Sequence, residues 1–349
     1  MGLRELKGYV WRGLAGAYRI SGASRLRHRG TVAILTYHRI LSAQDLTTDV
    51  VQAGMYVRAD VFRMHIEFLR SRFEVLSLQE LLERWRRDDW NRNASACVIT
   101  FDDGWLDNYR HAFPILKQYN IPATIFLPTD FIGTSRWFWP DQLQYYLQVV
   151  AQPTFGSGRR AEFYAALVEG ISAGGRALSV PISGEVAPDE WGDEAIEACK
   201  GLDPEYLEKL LATLCAGFGF QLPNQRVVMN WDEVREMSAH GVSFGSHSCS
   251  HRLLDQISPD ECRAEASRSY DALRKNGVNL VPVFCYPNGN YSEGAKEAVK
   301  AAGYDAAVSC NTGLERESPS DLYALRRISL HQDISATRDL MGLAISGLR

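Results

Sequence analysis

Asp102 and Asp103 stand side by side in the stretch VITFDDGWLDNY (98–109), at the end of an apolar run. Two carboxylates this close repel, and each raises the other's pKa unless something positive intervenes. Either a cation sits there or one carboxylate faces away into water. The residues that could complete such a site come much later in the chain. His247 and His251 lie four apart in SHSCSH (246–251), and Pro287-Asn288-Gly289 follows another apolar run. One aspartate and two histidines can hold a divalent metal while leaving positions open for water and substrate. The second aspartate, beside that water, is placed to take its proton. An acidic pair alone is a common surface feature, and a lone His-x-x-x-His arises by chance. Both together, each behind an apolar run and in a chain of only eight histidines, are far more specific.

The elements that must position these residues alternate. TVAILTYHRI (31–40) reads as a buried strand and RADVFRMHIEFLRSRF (58–73) as a helix with Phe62, Ile66 and Leu69 on one face. A short strand follows, then a helix capped by Ser77 with Glu80 closing the box. ACVITFDD is a strand, NYRHAFPILKQYN a helix and IPATIFLPTDFIG a strand. The rhythm breaks over about 134–228, which reads as a mostly helical insertion with mobile connections and not as an independent domain. Alternation resumes with a helix capped by Asn230, the strand VSFGSHSCSH, a helix opened by Ser258-Pro259, and further strands at VPVFCYPNG, YDAAVSC and LRRISLHQD. Such alternation argues for a parallel sheet or barrel, in which the strand C-termini share one face.

These motifs resemble the polysaccharide deacetylases of the NodB-homology type, carbohydrate esterase family 4. TFDDG (100–104) matches the family's first motif, HSCSH (247–251) its second, and YPNG (286–289) is similar to its third, R-x-P-x-G. The resemblance covers roughly 31–133 and 229–331. It implies a distorted (β/α) barrel with fewer than eight regular units. By motif, Asp102 is expected as general base, and Asp103, His247 and His251 as metal ligands. The ion is expected to be zinc, with cobalt, manganese, nickel or iron as others. The Asn288 backbone N–H is the expected oxyanion donor and His331, in ISLH, the expected acid. Trp105, His38, Tyr286, Pro287 and Arg327 are expected around the substrate. The family's third-motif Arg aligns with Cys285, so its contact to the catalytic aspartate is expected to be missing. Arg327, in LRRI, stands in for the absent Asp-Trp motif as a charged partner. Cys249 reads as a bystander in the second motif, and the aromatics Trp137, Trp139 and Tyr145 as packing.

The implied reaction is deacetylation of an N-acetylated sugar in a glycan or lipid-linked saccharide. De-O-acetylation, hydrolysis of a small amide, or glycan binding without catalysis are the alternatives. A formal net charge of −4 gives no case for nucleic acid. Seven dispersed cysteines without a CxxC pair read as reduced thiols. No signal-peptide core is visible, so a cytoplasmic location is expected. Residues 1–30 carry seven Arg/Lys against one Glu, with apolar residues at helical spacing. We read them as a basic arm ahead of the domain at 31–349, able to rest on an anionic membrane surface at its inner face.

Overall fold

The computed structural model describes residues 11, 13–18, 21, 27–49, 51–52, 54–178 and 188–347. Most of the basic arm, and with it the expected membrane contact, lies outside them.

Among the described residues ten strands form: β1 (Thr31–Tyr37), β2 (Arg39–Leu41), β3 (Tyr56–Arg58), β4 (Glu74–Leu76), β5 (Ser95–Phe101), β6 (Ala123–Leu127), β7 (Val242–Ser246), β8 (Leu280–Cys285), β9 (Ala306–Thr312) and β10 (Leu325–Ser329). Seven of them, in the order β1-β10-β9-β8-β7-β6-β5, close into a parallel barrel through the β1–β5 pairing, Thr31 opposite Ser95 to Tyr37 opposite Phe101. β4 extends the first half of β5, and β2 pairs with β3 separately. The parallel barrel that the alternation allowed, distorted as the resemblance implies, is therefore present, with seven strands.

Side chains on a strand alternate between faces, and both faces here are buried, as a parallel barrel requires. Ala33, Leu35 and Tyr37 of β1 and Cys97, Ile99 and Phe101 of β5 pack outward against helices α1 (Ala59–Arg72) and α3 (Phe113–Tyr119). Val32, Ile34, Ala96 and Val98 share another cluster with Phe126, Val283, Val308, Leu325 and the leucines of α2 (Leu78–Arg87). Continuing that second face upward brings Thr36, Thr100, Asp102 and Arg327 into one layer at the strand C-termini. Ser77 caps α2 as expected, but Glu80 does not close a box, because its carboxylate turns to Arg84 at 2.7 Å.

Residues Ser135–Gln225, with Leu46–Ala53, form a second compact unit, whereas the sequence suggested an insertion without independence. It holds α4 (Trp139–Ala151), α5 (Ser157–Ala173), α6 (Pro188–Lys200) and α7 (Pro204–Phe218). Its own core joins Tyr146, Phe163, Leu167, Leu211 and Phe220, with Tyr146 and Phe220 stacked at 4.4 Å. Trp137 and Tyr145 meet edge-on within it at 5.9 Å, and Trp139 packs on its core.

Back in the barrel unit, α8 (Trp231–Ser238) and α9 (Pro259–Lys275) both open with full capping boxes, at Asn230–Glu233 and Ser258–Glu261. α10 (Glu293–Ala301) and α11 (Arg338–Ala344) complete the barrel's helices.

Candidate active site

The adjacent carboxylates are separated by the turn that ends β5. Asp102 still follows the strand, its N–H donating to the Tyr37 carbonyl at 3.0 Å. Asp103 then takes φ 72° and Gly104 φ 64°. A Cβ on Gly104 would stand 2.7 Å from the Leu127 side chain, so this position requires glycine. The reversal sends the two carboxylates to different partners, Asp102 to a guanidinium and Asp103 to two imidazoles, which answers the question their adjacency raised.

Asp102 receives Arg327, whose guanidinium donates from Nη1 to Oδ1 at 2.7 Å and from Nη2 to Oδ2 at 2.8 Å. The pair is buried at 1% and 4% side-chain exposure. The remaining donors are occupied too: Nε bonds the Ser309 carbonyl at 3.0 Å, and Nη1 also reaches Thr36 Oγ1 at 3.0 Å. A fork this fully engaged holds one carboxylate orientation. The expected loss is thus of the third-motif contact alone, and the charged partner named in LRRI proves to be the partner of Asp102. Cys285 does stand at the third-motif position, and Arg327 of β10 supplies the guanidinium instead, 3.3 Å from the Cys285 sulfur.

Asp103 faces the histidines. Its Oδ1 lies 3.3 Å from His247 Nε2 and 3.2 Å from His251 Nε2. His247 Nδ1 sits 2.8 Å from the Cys285 carbonyl, which can only accept, so Nδ1 carries the proton and the Nε2 lone pair turns to the cluster. One carboxylate oxygen and two imidazole nitrogens within 4.8 Å of one another suit a divalent ion. Asp102, His247 and Cys285 are equally close, but that grouping suits an ion poorly. Burial pushes the Cys285 thiol up to about 11, keeping it protonated, and the Arg327 guanidinium occupies both Asp102 oxygens.

The loop carrying His251 is built from strained backbone. Ser248 and His251 take φ 63° and 61°. Asp103, Ser248, His251 and Asn288 make up four of the six positive-φ residues other than glycine among those described; the other two, Asp88 and Asn120, end helices. Strain concentrated this way marks a site whose surroundings over-determine it. Glu265 of α9, buried among apolar neighbours, is one such support. Its carboxylate accepts from the N–H of Cys249 at 2.7 Å, the N–H of Ser250 at 2.9 Å and the Ser250 hydroxyl at 2.7 Å. Ser248 Oγ then accepts the His251 N–H at 3.0 Å. Cys249 directs its thiol to the Glu265 carbonyl.

Burial opposes ionisation of both aspartates, and their partners outweigh it. Arg327 draws the Asp102 pKa below the usual carboxylate range, and His247 and His251 draw that of Asp103 well below it. Burial depresses the His251 pKa, with Asp103 only partly offsetting it.

Of the remaining expected residues, His38 faces the pair, its Nε2 4.0 Å from Asp102 Oδ2 and its side chain 23% exposed. Asn288 sits with φ 55° in the turn after β8, whose two backbone bonds run from Gly289 to Tyr286 and from Asn290 to Pro287, so neither uses the Asn288 N–H. His331 follows β10 at the same end of the barrel, with Nδ1 3.6 Å from Asp333.

Four residues expected around the substrate prove buried. Trp105, 3% exposed, donates its indole N–H to Asp103 Oδ2 at 3.0 Å beneath the Arg39 guanidinium, so it orients the aspartate and offers no open ring face. Tyr286 is enclosed with Phe284 and Tyr291, its hydroxyl donating to the Tyr323 carbonyl. Pro287 is buried in its turn, and Arg327 is spent on Asp102. Glu265 escaped the sequence reading, although its spacing from Cys262, Ala266 and Ser269 put an acid on the apolar stripe of α9.

Among known proteins, the polysaccharide deacetylase family model matches residues 90–153 and 200–307. YxkH of Bacillus subtilis, which carries the polysaccharide deacetylase name, is 21% identical over 306 residues, 87% of this chain and 73% of that protein. The poly-beta-1,6-N-acetyl-D-glucosamine N-deacetylase of Staphylococcus epidermidis is 28% identical over 117 residues, 31% of this chain and 39% of that protein. The match therefore spans well under half of that relative. The deacetylase PplD of Streptococcus pyogenes, solved in complex with acetate, shares the fold at a TM-score of 0.55 and 19% identity, covering 90% of this chain and 98% of that one. The motifs, the seven-stranded barrel and these likenesses agree: the chain belongs to the polysaccharide deacetylase family and is a hydrolase of that deacetylase class.

Proposed function

We propose that this chain removes the acetyl group from an N-acetylated sugar of a glycan, using a divalent cation held by Asp103, His247 and His251. The observation that carries the reading is the division of labour between adjacent carboxylates. Asp103 is committed to two imidazoles, while Asp102 is kept ionised and oriented by Arg327. A divalent ion there, zinc being the one to try first, would supply Lewis acidity and lower the pKa of water. Asp102 takes the proton of the attacking water at a carboxylate oxygen. The Asn288 N–H donates to the oxygen on which negative charge develops. His331 then gives the leaving amine its proton, without which an amide anion is too basic to depart. The N-acetylglucosamine polymer named for the staphylococcal relative is the first substrate to try.

The finer reading is a lipid-linked or growing saccharide at the inner membrane face, with the basic arm resting on anionic lipid. No described helix is long and apolar enough to cross a membrane. Acetate release from oligomers of β-1,6-linked N-acetylglucosamine, measured before and after chelation and after zinc addition, tests the reaction. Release that stops on chelation and returns with zinc supports it; release that persists through exhaustive chelation contradicts the metal's part.

A further inference from the structure

At the opposite pole of the barrel lies a cavity of about 610 Å³. Ser95 opens β5 there and lines it, whereas Asp102 follows the far end of the same strand. Seven residues of extended chain put the two about 20 Å apart, so this cavity is separate from the deacetylase chemistry.

Its chemistry is specific. His28 is 4% exposed, packs edge-on against Phe73 at 5.0 Å, and finds no hydrogen-bond partner for either ring nitrogen. Buried polar groups are rarely left this way. Arg29, Arg72 and Arg338 also line the space. Arg338 is paired with Glu67 at 3.0 Å, and Asp339 adds one negative charge. Arg29 and Arg72 meet no carboxylate among the described residues. Arg72 instead lies over the Phe68 ring. The His28 nitrogens are shielded from the open space, so the donors facing it are guanidinium groups: Arg29, which gives Nε and Nη2 to Asn93 Oδ1 and keeps its charge uncompensated, and Arg72; arginine forks match phosphate geometry. A bare phosphate would fill little of the volume. Phe68, Phe73 and Ile345 give the rest an apolar wall.

We propose that this cavity binds a phosphate-bearing amphiphile, the oxyanion held by Arg29 and Arg72 and the apolar part laid on Phe68, Phe73 and Ile345. Such a ligand could be a membrane phospholipid or a soluble phosphorylated amphiphile. The site stands independently of the reaction proposed for the opposite pole.

Calorimetric titration of the full chain with monomeric dihexanoylphosphatidic acid tests it, with dihexanoylphosphatidylcholine and inorganic phosphate beside it. The expected result is saturable binding of the phosphatidic acid, weaker binding of inorganic phosphate, and none of the choline lipid. Arg72→Glu should weaken binding by about tenfold or more, because it reverses a charge facing the anion. Arg29→Glu, at the other lining guanidinium, should also weaken it. Acetate release by Arg72→Glu should match wild type. Sedimentation with phosphatidylcholine vesicles, with and without phosphatidic acid, separates the sources: Arg72-dependent capture identifies a membrane lipid, and binding of the short lipid without capture a soluble ligand. No saturable binding of the short lipid, or equal binding by wild type, Arg72→Glu and Arg29→Glu, would overturn the proposal and leave a water-filled cavity.

Discussion

The Arg327–Asp102 pair carries the sharpest residue-scale consequence. Burial alone would raise the Asp102 pKa, and the guanidinium reverses that. Replacing Arg327 with Gln removes the reversing charge, so Asp102 holds its proton to higher pH. The acid limb of kcat/KM should then move upward, with a loss at neutral pH on the order of a hundredfold, within the range for a displaced general base. Arg327→Lys keeps the charge and loses the fork, and should restore the limb while recovering only part of the rate. An unmoved acid limb in Arg327→Gln would show that Asp102 is not the titrating base. Because breaking a buried ion pair can cost about 3–5 kcal/mol, profiles belong on protein shown to be folded. The sequence named Arg327 as a charged partner but not that its partner is Asp102. The two aspartates and two histidines sit in contiguous motifs, but Arg327 meets Asp102 across 225 positions of chain. Only the closure that sets β10 beside β1 brings them together.

Among the elements, the alternation of strands and helices was legible because β1, β5, β6 and β8 are largely apolar runs bounded by turn residues. What that alternation omits is direction. Trp105 and Tyr286 neighbour the motifs in sequence, yet the turns point their rings inward. Glu265 illustrates the opposite case, an acidic residue the sequence reading passed over that supports the second motif. Glu265→Ala strands two buried N–H groups, at about 1–3 kcal/mol each. It should also loosen His251 enough to weaken zinc affinity by roughly 10–100-fold, as loss of an orienting partner does. Glu265→Gln, which retains one carbonyl acceptor, should fall between. Competition with a chromophoric chelator reads this directly; unchanged zinc affinity in Glu265→Ala would remove its positioning role. The second compact unit was harder to read. Its helices are visible as patterns, but whether they share one core depends on contacts such as Phe163 with Phe218 that no local spacing encodes.

For the whole molecule, two buried histidines tie stability to pH. Burial holds both His28 and His65 at about 4, so both are neutral in the native state. His65 bridges the Ser335 carbonyl at 2.7 Å and the Tyr37 hydroxyl at 3.2 Å. The unfolded chain protonates them near 6.5, so between about pH 6.5 and 4 it binds more protons than the native state, and stability falls as pH drops. His65 alone contributes on the order of 3 kcal/mol across that window. Urea midpoints should decline over this range, and less steeply in His65→Gln, whose amide does not titrate. Equal slopes in the two proteins would exclude His65 as a source of the acid lability.

The account's central claim is that adjacent aspartates do different work, and one comparison tests it. Zinc content and acetate release are measured together for wild type and Asp102→Asn, on oligomers of β-1,6-linked N-acetylglucosamine. The account predicts equal zinc in both proteins and a drop in acetate release of about 10²–10⁴-fold in the variant, the range for losing a general base. Zinc lost from Asp102→Asn, or acetate released at the wild-type rate, would contradict it.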